Sequence, residues 1–466
     1  MGNEITLNYL NEHPVVKEVY RIFTNKELWI VGGAVRNCLM GLAIKDLDFA
    51  TNAHPDTVEK LFQEAGYKPI LTGKSFGTIR AIVLGLEVEV TTFRAKEKYT
   101  TKNRKPTVEF GVSIFDDLKR RDFTINAMAY NPLIDALVDP YNGTLDLNAR
   151  QLRTPLSPLD TFADDPLRML RALRFQSTYD FRLTNDVFEA IQKNAHKILY
   201  LSAERIKQEM DKLLCGVNVA EALRGLVASR LANFILPELL PMVGMKQNEQ
   251  YHSKNVFEHT LGVVENCPIT PVMRWAGLLH DIGKPATWQI TDTSIHFYNH
   301  EDLGARMAEE IAYRFKFSNE ERMMVKQLVK YHMRPNLYKS EWKDEAVRRF
   351  KRECGAFMPE LLSLSGADIT SMRPERINAA MNKLTELENR LAQAPEPLKK
   401  CPISGHEIMA RFGLEPGPIV GMLQSFLLKK IEAGTKVDDL DTLWNLSESW
   451  VKGLAIKIGG ISNESR

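Results

Sequence analysis

The chain has 466 residues, 44% hydrophobic and 26% charged, with a formal net charge of +2. That length is too great for one core, and about three or four structural units are expected. The composition excludes a disordered, fibrous or disulfide-stapled protein, and the near-neutral charge means that any nucleic-acid contact comes from local basic surface. The five cysteines, Cys38, Cys215, Cys267, Cys354 and Cys401, are scattered without a CxxC pair, which fits a reducing, cytoplasmic setting. No apolar run approaches about 18 residues, and no basic stretch near the N-terminus leads into an apolar one, so neither a membrane span nor a signal peptide is expected.

Residues 1–140 read as a small sheet-containing α+β head. Short β-rich runs (28–31, 78–83 and 88–93) alternate with helical stretches such as 56–65. The first run leads into Gly32 and Gly33, whose backbone can approach a phosphate closely because neither carries a Cβ. Asp46 and Asp48 follow, two residues apart, so on a strand both carboxylates project to one side. Paired carboxylates repel, and hard divalent cations relieve that repulsion. A phosphate cradle beside a dicarboxylate is equipment for metal-assisted nucleotidyl transfer. Glu87 and Glu89 share one face of a later strand, and Glu89 is the candidate third carboxylate. The basic segment from Arg94 to Pro106 reads as a mobile surface loop. Beyond it, Arg120 and Arg121 are suited to clamp a triphosphate, and Asn126 to bond a ribose hydroxyl.

Beyond Asp160 the strand signals fade and long amphipathic helical stretches dominate. In the 141–250 region, Asp165 with Pro166 opens a helix as N-cap and first helical residue, and Arg168, Arg171 and Arg174 recur every third position. Glu204, Arg205 and Glu209 in 202–214 are expected to brace that helix. In 251–372, His259, His280, Asp281, His300, His332 and Asp368 form a set of imidazole and carboxylate groups suited to divalent metals. The segment 373–466 reads as a helical tail, with Lys399–Lys400 and Lys429–Lys430 as candidate phosphate contacts.

The order Gly32-Gly-Ala-Val-Arg36, Asp46-Leu-Asp48, Glu89-Val-Thr-Thr-Phe-Arg94 and Arg120-Arg-Asp122-Phe-Thr-Ile-Asn126 resembles the class II (bacterial-type) tRNA nucleotidyltransferase and poly(A) polymerase family. The resemblance implies a polymerase-beta-like head followed by all-α neck, body, HD and tail regions. It implies template-independent addition of CCA to tRNA from CTP and ATP, with Mg²⁺ on Asp46 and Asp48, assisted by Glu89. Gly32, Gly33, Arg36, Arg120, Arg121, Asp122 and Asn126 would serve the nucleotide. Asp164-Asp-Pro-Leu-Arg168 stands where the family has its base-selecting motif, Asp164 replacing a glutamate. Cytosine and adenine each present an amine donor beside a ring-nitrogen acceptor, which a carboxylate (Asp165) and an arginine (Arg168) complement. Arg171 and Arg174 would assist. One departure stands out: the family usually has Asp where this chain has Asn37, which removes a charge beside Arg36.

His280-Asp-Ile-Gly283 resembles the signature of the HD phosphohydrolase superfamily. That implies one metal on His259, His280, Asp281 and Asp368, a second supported by His300 and His332, the ion being Ni, Mn, Co or Mg. Phosphomonoesterase or cyclic phosphodiesterase activity follows, in tRNA 3′-end repair. The expected partners are tRNA at its acceptor stem, elbow and 3′ end, CTP and ATP, with no membrane and no protein partner. An A-only enzyme, a poly(A) polymerase, and a phosphohydrolase whose head only tethers RNA are the competing readings. The full-length 94–106 segment speaks against a CC-only enzyme.

Overall fold

A computed structural model describes the chain except residues 1, 45, 101–102, 111–112, 248–254, 292–293, 371–373, 396–400, 433–434, 436–438 and 462–466. It divides into two compact units, one of Met1–Val243 with Ile269–Arg274 and Ile311–Phe317, the other of the remaining residues.

The first unit opens with a sheet. Its strands are β1 (Leu28–Val31), β2 (Leu47–Thr51), β3 (Pro69–Ile70), β4 (Thr78–Val83) and β5 (Leu86–Thr92). A separate hairpin, β6 (Arg94–Thr100) with β7 (Asn103–Phe110), precedes β8 (Ala129–Asn131) and β9 (Ala136–Val138). Seven of these form one sheet in the order β3-β4-β5-β2-β1-β8-β9. Only the β2–β5 pairing is parallel; the others are antiparallel. In β1 the alternation of side chains feeds two cores. Leu28 and Ile30 join Phe49, Phe62 and Val90 on one face, while Trp29 and Val31 join Ala50, Phe93 and Leu118 on the other. A sheet covered on both sides leaves its carboxylates only at strand ends, and Asp48, two residues before Ala50, stands at such an end.

The 94–106 segment differs from expectation. Its backbone is paired as the β6–β7 hairpin, with irregularities between Arg94 and Lys96 and between Lys98 and Thr100. Charged residues without apolar anchors read as a loop, yet a two-stranded ladder needs only backbone partners and alternating side chains.

The helices α1 (Gly33–Leu39), α2 (Leu167–Tyr179) and α3 (Ala203–Leu214) position the first site. Asp165 caps α2 as expected: its carbonyl accepts from Arg168 N (3.1 Å) and its carboxylate from Leu167 N (3.1 Å). A two-residue parallel pair, Gln151–Leu152 with Arg182–Leu183, ties the two ends of the α2 segment.

The second unit is helical, with α4 (Val256–Asn266), a helix α5 that begins at His300, α6 (Asn319–Tyr331) and α7 (Met358–Asp368) around the histidines. A hairpin of Trp288–Thr291 with Ser294–Phe297 interrupts the helices; the sequence reading missed it. The C-terminal helices Gly405–Phe412, Pro418–Glu432 and Leu440–Ile461 build their own core on Ile408, Leu423, Leu427 and Leu443. No described helix is long and apolar enough to cross a membrane.

Candidate functional sites: a carboxylate edge and a histidine centre

On the sheet, Asp48 of β2 lies opposite Glu89 of β5 in the parallel register. Neighbours in register share a face, so the two carboxylates stand side by side. Asp46 lies just before β2, exposed to solvent. Burial, then Glu89 and Asp46, raise the Asp48 carboxyl to about 6, against the opposing pull of Arg121. Three acids gathered at one edge with a raised member form a site that holds its charge best when a cation is present. Glu87, the other acid on β5, is bonded instead to Arg80 Nη1 (2.8 Å).

Gly32 takes φ +66°, and a Cβ there would meet Arg121 Nη1 at 2.9 Å and Asp48 Oδ2 at 3.8 Å. The glycine therefore admits the guanidinium and the carboxylate to one place, with Gly33 opening α1 beside it. Arg121 is aimed by Asp117, whose Oδ2 accepts from Nε (3.1 Å) and Nη2 (2.9 Å). Arg120 sits 3.7 Å from the same carboxylate. Asp117 was not foreseen; an acid three and four residues ahead of two arginines on a helix was the available signal.

The remaining residues expected near the nucleotide form a buried chain of mutual contacts. Arg36 is 7% exposed, its guanidinium 5.1 Å from the Phe175 ring and 4.9 Å from the Tyr179 ring. It donates to Asn126 Oδ1 and, through Nη2 (2.8 Å) and Nε (3.2 Å), to Asn37 Oδ1. Asn37 thus keeps a bidentate contact where a carboxylate was expected, without the charge. Asn126 Nδ2 donates to Asp122 Oδ1 (2.9 Å), and Arg171 donates to Asp122 Oδ2 through Nε (2.8 Å) and Nη2 (2.5 Å). Burial alone would raise the Asp122 carboxyl, but Arg171 and Asn126 outweigh it and hold it well below the usual carboxylate range. Glu209 of α3 receives Arg174 Nη1 at 3.0 Å and lies 3.8 Å from Arg171. In this arrangement Arg36, Asp122, Asn126, Arg171 and Arg174 hold one another, a bracing role that the expectation of nucleotide contacts did not include. An arginine every third residue winds around α2 toward both the head and α3, so a single free stripe does not result. Phe175 and Tyr179, spaced i and i+4 and missed in the sequence, stack on each other with ring centres 5.7 Å apart, and Arg36 lies against both.

Asp165 and Arg168 behave differently. Asp165 is partly exposed and accepts from Arg205 Nη2 (3.1 and 3.4 Å), while Arg168 Nη2 donates to the Arg120 carbonyl (2.7 Å). A carboxylate and a guanidinium three residues apart at the start of α2, each held from behind, form a donor–acceptor edge. Asp164 is exposed beside them.

In the second unit, all six expected metal-binding groups converge. His259, His280 and Asp368 form one triad and Asp281, His300 and His332 another, with the ligand atoms of each triad within 4.8 Å of one another. Asp281 lies between the triads: Oδ2 is 3.2 Å from His280 Nε2 and 3.6 Å from His259 Nε2, while Oδ1 is 3.5 Å from His300 Nε2 and 3.8 Å from His332 Nε2. Asp368 Oδ1 is 2.9 Å from His259 Nε2. Every ring turns the same atom inward. His280, His300 and His332 donate Nδ1–H to the carbonyls of Gly277 (2.8 Å), Phe297 (2.8 Å) and Val329 (2.7 Å), and His259 Nδ1 meets the Thr370 hydroxyl (2.8 Å). A carbonyl can only accept, so in their neutral forms His280, His300 and His332 keep the Nε2 lone pair inward; His259 Nε2 lies 3.4 Å from His280 Nε2, and His300 Nε2 3.3 Å from His332 Nε2. Facing lone pairs in a buried site call for cations, and the donor set suits divalent ions.

The electrostatics agree. Burial and the neighbouring His280 bring His332 down to about 4. Burial opposes charge on His280 and Asp281 as well, but their mutual attraction prevails, raising the imidazole and holding the carboxyl far below its ordinary range. Lys284, unforeseen as a participant, forms an ion pair with Asp281 Oδ2 (2.6 Å) and donates to Gln247 Oε1 (2.9 Å). Gly283 allows close packing: a Cβ there would collide with the His300 carbonyl and lie 2.8 Å from Gly304 N.

Comparison with known proteins adds to this geometry. Residues 28–153 match the family profile "Poly A polymerase head domain", 180–242 "Probable RNA and SrmB- binding site of polymerase A", and 251–372 "HD domain". A CCA-adding enzyme of Ligilactobacillus salivarius is 30% identical over 420 residues, 90% of this chain and 91% of that one. One of Bacillus pumilus is 40% identical over 205 residues, 44% of this chain and 50% of that one. The crystal structure of the Bacillus stearothermophilus CCA-adding enzyme in complex with CTP superposes with a TM-score of 0.67 at 25% identity, over 95% of this chain and 100% of that one.

Proposed function

Because the chain belongs to the CCA-adding enzyme family, we propose that it extends tRNA 3′ ends with CCA, taking CTP and ATP as substrates. The observation that carries this is Asp48 opposite Glu89 in register, beside the Gly32 turn that Arg121 covers. Asp46 and Asp48, assisted by Glu89, would hold two Mg²⁺ ions, which supply positive charge to the attacking ribose oxygen and the departing diphosphate. Arg120 and Arg121 orient the triphosphate over the Gly32–Gly33 backbone, with Asp117 fixing the angle of Arg121. Asp165 accepts from the exocyclic amine of cytosine or adenine, and Arg168 donates to the ring nitrogen. Uracil and guanine turn a carbonyl to the carboxylate and an N–H to the guanidinium, and both are refused. Arg36, Asn126, Asp122, Arg171, Arg174 and Glu209 link the head to the selecting helix, so that base choice and the metal edge keep one geometry.

The experiment is direct. Purified protein receives one tRNA lacking CCA and another ending in CC, each with a single NTP. Incorporation of C on the first and A on the second supports the proposal. Addition of A alone would mark an A-only enzyme, and runs of A a poly(A) polymerase.

A second activity is favoured by the six converging ligands in 251–372. We propose that this HD centre holds one or two divalent ions (Ni, Mn, Co or Mg) and hydrolyses phosphoesters. The finer division into head (1–140), neck and body (141–250), HD domain (251–372) and tRNA-binding tail (373–466) belongs to this proposal. In the tail, Lys429 and Lys430 are candidate phosphate contacts, while Lys399 and Lys400 lie outside the described residues. Unbridged cysteines are in keeping with a cytoplasmic setting. Hydrolysis of a phosphomonoester by the full chain, lost in His280→Ala and Asp281→Ala, tests the second activity. Activity that persists at Asp46→Ala while CCA addition was never present would favour a hydrolase with an RNA-tethering head.

A further inference from the structure

On the sheet of the first unit, the register carries the carboxylate pair one strand further. Asp48 of β2 lies opposite Glu89 of β5, and Glu89 lies opposite Arg80 of β4. Neighbours in register share a face, so the three form one row, with Arg80 two strand spacings, on the order of 10 Å, from Asp48. The other face of β4 is fully packed, with Ile79, Ala81 and Val83 buried in the first core. On the face of the row, the core of Trp29, Val31 and Ala50 takes no residue of β4 among those described, and Ile82 is 58% exposed. Beyond β5, this side of the sheet is therefore open to solvent. Among the described residues the Arg80 guanidinium makes one bond, from Nη1 to Glu87 Oε1 (2.8 Å). Glu87 precedes Glu89 by two residues, as Asp46 precedes Asp48 on the parallel strand β2. The guanidinium thus leans toward the edge at which Asp46 is exposed. Both partners of this pair reach water, the Arg80 side chain at 36% and that of Glu87 at 54%, so a phosphate can replace the carboxylate at little cost.

We propose that Arg80 holds the phosphodiester that precedes the last nucleotide of the RNA being extended. This rests on the nucleotidyl-transfer reading above. Two observations select that group. The first is the order of the sheet, β4-β5-β2-β1. Gly32 and Arg121, assigned to the triphosphate, stand at the end of β1 on one side of Asp48, and Arg80 stands on the other. In-line displacement sets the departing diphosphate and the attacking ribose oxygen on opposite sides of the α-phosphate. With the diphosphate leaving toward β1, the ribose arrives from the β4 side, and its own 5′ phosphate follows one sugar behind. The second is charge. Glu87 and Glu89 repel a phosphodiester on that flank, and Arg80 supplies a cation there whose planar fork matches two phosphate oxygens.

The test compares the full-length chain with Arg80→Ala, Arg80→Lys and Glu87→Gln, using tRNA ending in CC and ATP. Arg80→Ala is expected to raise the KM for tRNA about tenfold, the lower end for a charge-assisted bond, with the KM for ATP within about twofold. The dependence of log KM for tRNA on log salt should lose about one unit of slope. Arg80→Lys should recover part of the loss. Glu87→Gln breaks the same ion pair but releases the arginine, so it should leave the KM for tRNA unchanged or lower. A KM for tRNA raised alike in Arg80→Ala and Glu87→Gln would mean that the pair only supports the sheet, and overturns the proposal. So does a KM for tRNA that Arg80→Ala leaves unchanged.

A second RNA locates the contact. Its last phosphodiester is replaced by an uncharged methylphosphonate, which should weaken binding to the wild-type chain about tenfold and binding to Arg80→Ala hardly at all. A neutral linkage that weakens both chains alike overturns the assignment. Fluorescence anisotropy reads this binding without turnover. If the chain adds no nucleotide while the Arg80-dependent preference for the charged linkage persists, the transfer reading fails and the contact stands. If addition proceeds and the preference does not depend on Arg80, the contact fails and the transfer reading stands.

Discussion

On the sheet, Asp48 and Glu89 meet because two strands far apart in sequence are neighbours in register. In the helical unit the six candidate cation-binding groups come from α4, the turn after Leu279, the start of α5, the end of α6 and the end of α7. The first site is an open edge of acids with an exposed member. The second is a closed nest in which backbone carbonyls fix the imidazoles. An edge suits a reaction in which a polymer end and a triphosphate both enter, whereas a nest suits one small group that has to be reached by water. The contrast predicts that the two sites fail separately.

The largest effect should come from breaking them one at a time. Asp48→Ala is expected to slow nucleotide addition by roughly a thousandfold, more than about 4 kcal/mol of barrier, with phosphoester hydrolysis within about twofold of wild type. His280→Ala should give the opposite pattern. If Asp48→Ala removed both activities with the fold intact by circular dichroism, the separation of the two sites would be wrong.

Backbone tolerance separates them next. A methyl group at Gly283 would be driven into the His300 carbonyl, so Gly283→Ala should cost about 1–3 kcal/mol and lower metal occupancy at the nest. Measured by thermal unfolding and metal analysis, an unchanged protein would show that α5 can shift away. At the edge, Gly32→Ala should lower both stability and addition, because a φ of +66° strains any L side chain and the new methyl group also meets the tip of Arg121.

Charge sharpens the comparison further. The Asp48 carboxyl is raised to about 6, above its value in an unfolded chain, so in the metal-free protein it lowers stability as pH rises from about 4 through 6. Above pH 6 the full cost of the buried charge applies. Asp48→Asn should therefore stabilise the chelated protein by about 1–3 kcal/mol at pH 8 and by little at pH 4. Denaturant unfolding in EDTA at the two pH values reads this, and a gain that is independent of pH would point to packing instead. A comparable cost attends base selection: Arg168→Gln should cost about 1–3 kcal/mol of preference for CTP and ATP over UTP and GTP, seen as the ratio of kcat/KM values.

Much of the sheet site was legible because strand period is local, although the register that brings Asp48 to Glu89 is not. Gly32, Asp46, Asp48 and Glu89 could be picked out by spacing, and Glu87 set aside. The nest was legible as a set of residue types, since histidines and aspartates in this order resemble a known signature. What spacing does not contain is which side chains bond one another across the fold. Arg171 reads the same in sequence whether it faces a nucleotide or Asp122, and only the packing of α2 against the head and α3 decides. Lys284 and the hairpin beside it were missed for a related reason. A four-residue strand rich in exposed residues carries no periodic burial to detect.

The smallest predicted effect concerns Asn37, one of two departures from the pattern that the family resemblance implies. Arg36 lies buried against Phe175 and Tyr179 and donates twice to Asn37 Oδ1, a neutral acceptor where the family resemblance implies a carboxylate. A charge-assisted bond is stronger than a neutral one, but residue 37 is partly exposed and water screens part of the gain. Asn37→Asp also gives up a weak bond from Asn37 Nδ2 to the Ala43 carbonyl (3.4 Å). The net expectation is a stabilisation of about 0.5–1 kcal/mol at pH 7. Its sign with pH follows from the partner: the new carboxyl would be depressed by Arg36, so the gain is present above the ordinary carboxylate range and is lost as acid protonates it. Thermal unfolding of Asn37→Asp at pH 7 and pH 4 measures both parts. A destabilised variant at pH 7 would mean that the Arg36 clamp is already balanced by Asp122 at the far end of its chain, and that Asn37 is the better residue for this particular head.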